Sequence, residues 1–223
     1  MADRIFLAPG DPWIDWNWLT THTHLFAAGL LQHVTLTVVA VGLGLAIALP
    51  LGVIAHRWRA LRNPVLTVFG VFYTIPSIAL FAMLIPYTGL SVLTAEIGLV
   101  GYAVLILVRN VVVGLEAVPA DILDAANGMG YRPLARLLRV ELPLALPAIF
   151  AGLRIATVTT IGLVTITALI GLGGLGALIL SGLYNDFHTP LLVATGLSIA
   201  LALVADLTLA VTQRLSLPWA RQA

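Results

Sequence analysis

The hydrophobic and polar positions of this chain alternate on the scale of whole helices. Long apolar stretches are separated by short polar segments. An α-helix rises ~1.5 Å per residue, so about 20 apolar residues cover the ~30 Å of hydrocarbon in a bilayer. We therefore predict five membrane-spanning helices, with Pro50 and Pro76 bending the first two. The predicted spans are residues 34–55, 65–87, 97–113, 148–171 and 191–212.

Three of the predicted spans carry a charged residue. The third is short and has Arg109 near one end, where a long side chain can reach the membrane interface. Arg154 and Asp206 lie deeper, at similar depths in the fourth and fifth spans. Because an isolated charge within a membrane is costly, we predict that these two residues approach each other or another polar group. We expect this pair to serve the architecture rather than to relay protons.

Composition supports an all-α integral membrane protein. The chain is 60% hydrophobic and 9% charged, against roughly 45–50% and about 25% in soluble domains. It has no cysteine, which excludes disulfides and sulfur-ligated metals, and no lysine, which excludes a Walker A loop and Schiff-base chemistry. His22 and His24 lack an evident third metal ligand. We expect neither a metal site nor enzymatic activity.

The arginines predict the orientation. With the N-terminus outside, ten of the eleven arginines fall in inner loops or at inner helix ends, and only Arg4 lies outside. Such an excess is typical of the cytoplasmic side. Trp13, Trp16 and Trp18 indicate an N-terminal segment that lies partly in the membrane interface.

These features predict a simple domain organisation. Residues 1–32 form an external segment, residues 33–213 the transmembrane domain, and residues 214–223 a cytoplasmic tail. The largest loop, residues 114–147, is cytoplasmic and is too short for an ATPase or ligand-binding domain of its own. Any energy source must therefore be another polypeptide.

The cytoplasmic loop contains a polar island, DAANGMGYRPLARLLRVELP, at residues 124–143. Pro119 suits the first position of a helix, and Asp121 in its first turn favours the helix dipole. Gly130 suits a helix end, and Pro133 suits the start of a second helix. The island is predicted to be a short helical hairpin in water, either a docking surface for a soluble partner or a membrane-surface hairpin with a basic rim.

The island resembles the "EAA" loop of binding-protein-dependent ABC importer permeases. The matching pattern is Asp124-Ala125-Ala126, three residues, Gly130, nine residues, Val140, one residue, and Leu142-Pro143, with Asp and Val in place of the usual Glu and Ile. Residues 74–77 (TIPS) and 171–176 (GLGGLG) resemble the osmoprotectant branch of these permeases. The likeness runs from about residue 30 to residue 212.

The resemblance implies a type I (MetI-like) permease fold in the bacterial inner membrane. It implies a cytoplasmic ABC ATPase that carries ATP and Mg²⁺, an external substrate-binding protein and a second permease subunit, with no cofactor in this chain and no nucleic acid. By analogy the island contains the coupling helix that fits the ATPase. The residues assigned to this coupling are Asp121, Asp124, Ala125, Ala126, Gly130, Arg132, Leu142 and Pro143.

Polar, aromatic and glycine residues within or beside the spans are candidates for a translocation path or gate. Interhelical hydrogen bonds are the alternative explanation for the polar ones, while Tyr73 and Tyr102 offer cation–π faces to a quaternary ammonium solute. Residues 171–176 also fit a dinucleotide fingerprint, but no strand precedes them, so we predict a tight external turn. The path or gate candidates are Tyr73, Thr74, Pro76, Ser77, Asn110, Thr165, Thr167, Gly173 and Gly174.

The function that we expect is an ABC importer permease for glycine betaine, carnitine, choline or proline. One alternative is a permease of the same architecture for methionine or another small polar solute. An ATP-independent channel or carrier, or a membrane scaffold that transports nothing, is a different class of protein. These classes differ in whether uptake depends on a partner ATPase.

Overall fold

The predicted all-α fold is confirmed: α-helices make up most of the residues that the computed structural model describes, 13–221. Arg4, which is predicted to lie outside, and the last two residues of the predicted tail fall outside this range. A π-helical turn (Leu137–Glu141) precedes α8, and 3₁₀ turns (Thr167–Ile170 and Pro218–Arg221) follow α8 and α10. In chain order the α-helices are α1 (Trp16–Thr21), α2 (Thr23–Arg57), α3 (Arg59–Thr74), α4 (Ser77–Thr88), α5 (Val92–Glu116), α6 (Ala120–Gly128), α7 (Pro133–Arg136), α8 (Leu142–Ile166), α9 (Leu175–Tyr184) and α10 (His188–Ser216).

Four helical segments of the described chain are long and apolar enough to cross a membrane, and the broken pair α3 and α4 makes a fifth if it counts as one span. The four are α2, α5, the run Pro133–Ile170 and α10. All are longer than the predicted spans, because backbone hydrogen bonding continues past the point where the apolar sequence ends. The polar end residues therefore belong to the helices.

The second predicted span, residues 65–87, is not one bent helix. Helix α3 ends at Thr74 and α4 begins at Ser77, with Ile75 and Pro76 between them. Proline has no N–H and disfavours the α conformation of the residue before it. Pro76 therefore ends one helix and caps the next, instead of only bending a continuous span.

The third predicted span, residues 97–113, is shorter than the helix that the structure shows. Helix α5 has 25 residues and starts at Val92, so it includes Glu96, which is only 9% exposed. The predicted span begins at the residue directly after Glu96. The fold instead buries this carboxyl inside the helix bundle.

The chain forms two compact units. One comprises the described residues up to Ala40, with Ile75–Leu99 and Val158–Val204. Its core packs Phe26 of α2 against Leu175 of α9 and Ala194 of α10.

The other unit comprises Val41–Thr74, Val100–Thr157 and the described residues from Ala205 onward. Its main core is built from small and branched side chains of α2, α5 and α8, including Ala48, Val104 and Ala156. Small residues let helix backbones approach closely inside a membrane, where the hydrophobic effect does not drive helices together. This second unit also contains the whole polar island.

Candidate functional site

The polar island folds with the predicted helix, glycine break and second helical start. Helix α6 follows Pro119, which caps the helix rather than occupying its first position as we predicted. Gly130 adopts a φ of +76°, and its N–H donates to the Asn127 carbonyl at 2.9 Å. Glycine takes this left-handed conformation without a Cβ penalty, so the chain can reverse here. Pro133 is the first residue of α7, as predicted.

The sequence predicted a separate short second helix in the island. The structure shows that this helix is not separate. Helix α7 continues through the π-helical turn into α8. In that turn the N–H of Leu142 donates to the carbonyl of Leu137, five residues back. The wider turn ends at Glu141, two residues before Pro143, which has no N–H to offer to a regular helical turn. The island is thus continuous with a membrane helix.

The residues assigned to ATPase coupling divide into two groups. Ala126 is 1% exposed and lies inside its own unit, and Leu142 packs against the small core that includes Val111 and Leu115. Pro143 is half-buried. The exposed group, which we call the docking surface, comprises Asp121, Asp124, Ala125, Gly130 and Arg132.

Next to the docking surface in the chain lies a set of polar contacts that the sequence did not predict. Arg136 donates from Nε to Oε1 of Glu141 at 2.6 Å, and from Nη1 to Oδ1 of Asn127 at 2.7 Å. Nε2 of His56, near the end of α2, lies 3.8 Å from the other oxygen of Glu141. We call His56, Asn127, Arg136 and Glu141 the polar junction.

One signal in the sequence could have revealed this junction. Glu141 stands at the start of a long apolar run, and a buried carboxylate needs a charged or hydrogen-bonding partner. Arg136 lies five residues earlier in the chain, and the π-helical turn between them brings the two side chains together. A regular helical pattern pairs residues three or four apart, so this spacing is easily overlooked.

Four path candidates use their polar groups within their own helices. Thr74, Thr165 and Thr167 donate to carbonyls three residues earlier at 2.7 Å, and the Asn110 amide donates to Ile106 at 2.8 Å. These four groups bond to nearby backbone carbonyls, and not between helices as the alternative explanation had it. Pro76 is exposed and Ser77 is half-buried.

An aromatic cluster surrounds Tyr102 in the second unit. The Tyr73 ring meets the Tyr102 ring edge-on, with centroids 5.5 Å apart, and the Phe72 ring lies 5.7 Å from Tyr102. Tyr102 is 4% exposed, whereas Tyr73 is 41% exposed. The two tyrosines predicted to suit a cationic solute therefore lie together, and Tyr73 has the accessible face.

Residues 171–176 form the tight turn that the glycines predict. Gly171, Gly173 and Gly174 all have positive φ, at +79°, +99° and +53°. The Gly174 N–H donates to Oε1 of Gln32 at 2.9 Å, and a Cβ at Gly174 would lie 2.6 Å from the Gly29 carbonyl oxygen. Glycine is needed here for both the backbone conformation and the close approach to α2.

The predicted pairing of Arg154 and Asp206 is confirmed. The guanidinium donates from Nε and Nη2 to the two carboxylate oxygens, both at 2.7 Å. The side chains are 35% and 33% exposed within the chain. This bidentate geometry satisfies both charges between α8 and α10.

Comparison with known proteins identifies the family. Residues 29–215 match the family of binding-protein-dependent transport system inner membrane components. The chain belongs to this family. The permease is 40% identical over 197 residues to the osmoprotectant import permease protein OsmW of Salmonella typhimurium, covering 84% of this chain and 92% of that protein. It is 36% identical over 184 residues to the choline transport system permease protein OpuBB of Bacillus subtilis, covering 82% of this chain and 84% of that protein.

A solved structure shows the predicted MetI-like fold. The permease aligns with an inward-facing structure of the MetNI methionine ABC transporter at a TM-score of 0.77, over 87% of this chain and 97% of that one. The sequence identity of 24% supports a shared fold alone. The fold is thus MetI-like, and the family match places the chain among permease components of the bacterial inner membrane.

Two further buried polar groups of the permease were missed by the sequence analysis. Oε2 of Glu96 has no hydrogen-bond partner among residues 13–221. His33 is fully buried, and its Nε2 lies 3.0 Å from the Ile161 carbonyl oxygen, which it can reach only as a donor. Within the described chain no three metal-ligating side chains cluster, and the His22 and His24 rings are 6.1 Å apart.

Proposed function

We propose that this permease is the transmembrane subunit of an ATP-driven importer for an osmoprotectant such as glycine betaine, carnitine, choline or proline. The observation that carries the proposal is the 40% identity to an osmoprotectant import permease over most of both chains. The exposed docking surface, with Asp124, Ala125 and Gly130 in the pattern of the coupling loop, supports it.

A quaternary ammonium group is the solute chemistry that the aromatic cluster favours. The exposed face of Tyr73 beside Tyr102 offers the electron-rich ring surface that attracts such a cation. The relative OpuBB is named for choline, a quaternary ammonium compound. Methionine remains the second candidate solute, because a methionine transporter shares the fold. A likeness at 24% sequence identity does not, however, indicate a shared substrate.

The proposed assembly places the docking surface and the C-terminus in the cytoplasm and the N-terminus outside. Two cytoplasmic ATPases, holding ATP and Mg²⁺, engage the docking surfaces of two permease subunits. An external binding protein delivers the solute. The ten arginines on the proposed inner side support this orientation.

The proposed mechanism is a shift in population between inward-open and outward-open states. A ligand moves such an equilibrium only as far as it binds the two states differently. ATP brings the ATPases together and draws the docking surfaces with them, which favours the outward-open state. Hydrolysis removes this preference, and the solute leaves inward.

Uptake by proteoliposomes tests the proposal. The permease is reconstituted with the ATPase and binding protein of its transport system, and radiolabelled glycine betaine, choline, carnitine, proline and methionine are compared. We expect uptake of at least one osmoprotectant that requires both ATP and the binding protein. Equal uptake without the ATPase would indicate a carrier, and uptake of methionine alone would support the second candidate.

A further inference from the structure

The polar junction connects three helical elements of one unit through a single guanidinium. Arg136 donates to Asn127 of α6 and to Glu141 in the π-helical turn, and Glu141 also faces His56 of α2. A planar guanidinium holds two such partners in a fixed mutual orientation, unlike the flexible ammonium of lysine. The position of α6 is therefore tied to the π-helical turn at the base of α8, and the end of α2 lies beside that turn.

The burial of Glu141 makes this connection stiff. The residue is 2% exposed, so its carboxylate has lost water and depends on Arg136 for compensation. Charge-assisted hydrogen bonds of this kind are shorter and about twice as strong as neutral ones. Moving α6 while leaving Glu141 in place would break the bond to Asn127 or withdraw the guanidinium from a buried charge.

The same helix carries Asp121, Asp124 and Ala125 of the docking surface, and all three are exposed. Asp124 lies three residues before Asn127, within one turn of α6. Asp124 and Asn127 are both exposed, and the Asn127 amide oxygen accepts a hydrogen bond from Arg136. A displacement of α6 at these exposed residues therefore acts directly on the bond from Asn127 to Arg136.

We infer that the polar junction transmits the displacement of α6 into α8 and α2, and that Asn127, Arg136 and Glu141 are positioning residues of ATP coupling. This inference rests on the proposed function. In it, Arg136 and Glu141 act through α6 and do not contact the ATPase. Their loss should reduce the solute transported per ATP hydrolysed while leaving the affinity for the ATPase unchanged.

The choice of variants separates transmission from folding. Asn127→Ala removes one hydrogen-bond acceptor and keeps the Arg136–Glu141 pair, so the buried charge retains its partner. Asn127→Asp keeps an acceptor for Arg136. Arg136→Lys keeps the charge but cannot bridge two partners in the same fixed geometry. The matched control is Arg62→Lys, which alters an exposed arginine–glutamate pair between α3 and α5.

The experiment measures solute uptake, ATP hydrolysis and ATPase affinity for each variant in the reconstituted importer. We expect Asn127→Ala and Arg136→Lys to lower the uptake per ATP by about threefold or more, with Asn127→Asp and Arg62→Lys close to wild type. An unchanged ratio in both variants would overturn the inference, as would a loss of ATPase affinity, which would make Asn127 a contact residue. If wild-type uptake is itself independent of ATP, the proposed function fails instead.

Discussion

Arg154 and Asp206 face each other across 52 positions of sequence, joined by two parallel hydrogen bonds of 2.7 Å. One residue comes from α8 and the other from α10, two helices that the sequence assigns to separate membrane spans. Each side chain supplies the opposite charge that the other needs at this depth. The pair therefore joins the two helices at a defined register.

This arrangement predicts an asymmetry between single and double substitutions. Arg154→Leu or Asp206→Leu leaves one charge without its partner within the membrane, so each should lower the melting temperature of the purified permease. The double variant has no charge to compensate and should recover much of the loss. Thermal stability in detergent measures this, with Arg62→Leu as an exposed-pair control. A double variant less stable than both single variants would contradict the account.

The pairing was predictable because an uncompensated membrane charge has few alternatives. The glycine turn at residues 171–176 was predictable for a similar reason, since repeated glycines mark positive φ and close approach. The break at Pro76 was predicted only as a bend. Sequence hydropathy locates apolar stretches. Whether a proline kinks one helix or separates two helices depends on the packing around it.

Other features could not be read from a local pattern. Glu96 is a buried acid within α5, and its sequence neighbours did not indicate this burial. The inward position of Ala126 follows from how α6 rests on its unit, although Ala125 and Ala126 look equivalent in sequence. The backbone bonds of Thr74, Thr165 and Thr167 also depend on side-chain rotamers.

Three glycine-to-alanine substitutions should give graded effects on folding. Gly42 is helical, and a Cβ added there would have no other atom within 4 Å, so Gly42→Ala should be neutral or slightly stabilising. Gly171→Ala meets only the backbone penalty of a positive φ, about 1–2 kcal/mol. Gly174→Ala adds a clash with Gly29 and should be the most destabilising. The yield of folded protein and the melting temperature measure this order, and equal behaviour of all three would contradict it.

Gly130 and Gly128 provide a second matched comparison. Neither has an atom within 4 Å of an added Cβ, but only Gly130 has a positive φ. Gly130→Val should therefore distort the turn after α6 and uncouple ATP hydrolysis from uptake. Gly128→Val should affect coupling far less. The ratio of uptake to ATP hydrolysis in proteoliposomes distinguishes them, and a normal ratio in Gly130→Val would count against a coupling role for this turn.

The exposed ring of Tyr73 should contribute to uptake of a quaternary ammonium solute. Tyr73→Phe keeps an aromatic face, whereas Tyr73→Leu removes a cation–π attraction of about 0.5–1 kcal/mol, or roughly two- to fivefold in apparent affinity. We expect Tyr73→Leu to raise the half-saturating choline concentration and Tyr73→Phe to leave it unchanged. Concentration-dependent uptake checks this. Equal effects of both variants on this concentration would show that the aromatic face of Tyr73 does not contribute to solute binding.

The most direct test of the central claim asks which side of the membrane the docking surface faces and what it touches. The chain has no cysteine, and Met129 is 68% exposed beside Gly130, so Met129→Cys introduces a single reporter thiol. Tyr184→Cys, at a position 72% exposed and proposed to lie outside, is the control. We predict that a membrane-impermeant maleimide labels Met129→Cys only in inside-out vesicles and Tyr184→Cys only from the exterior, and that the added ATPase protects Met129→Cys alone. Labelling of Met129→Cys from the exterior, or no protection by the ATPase, would contradict the account.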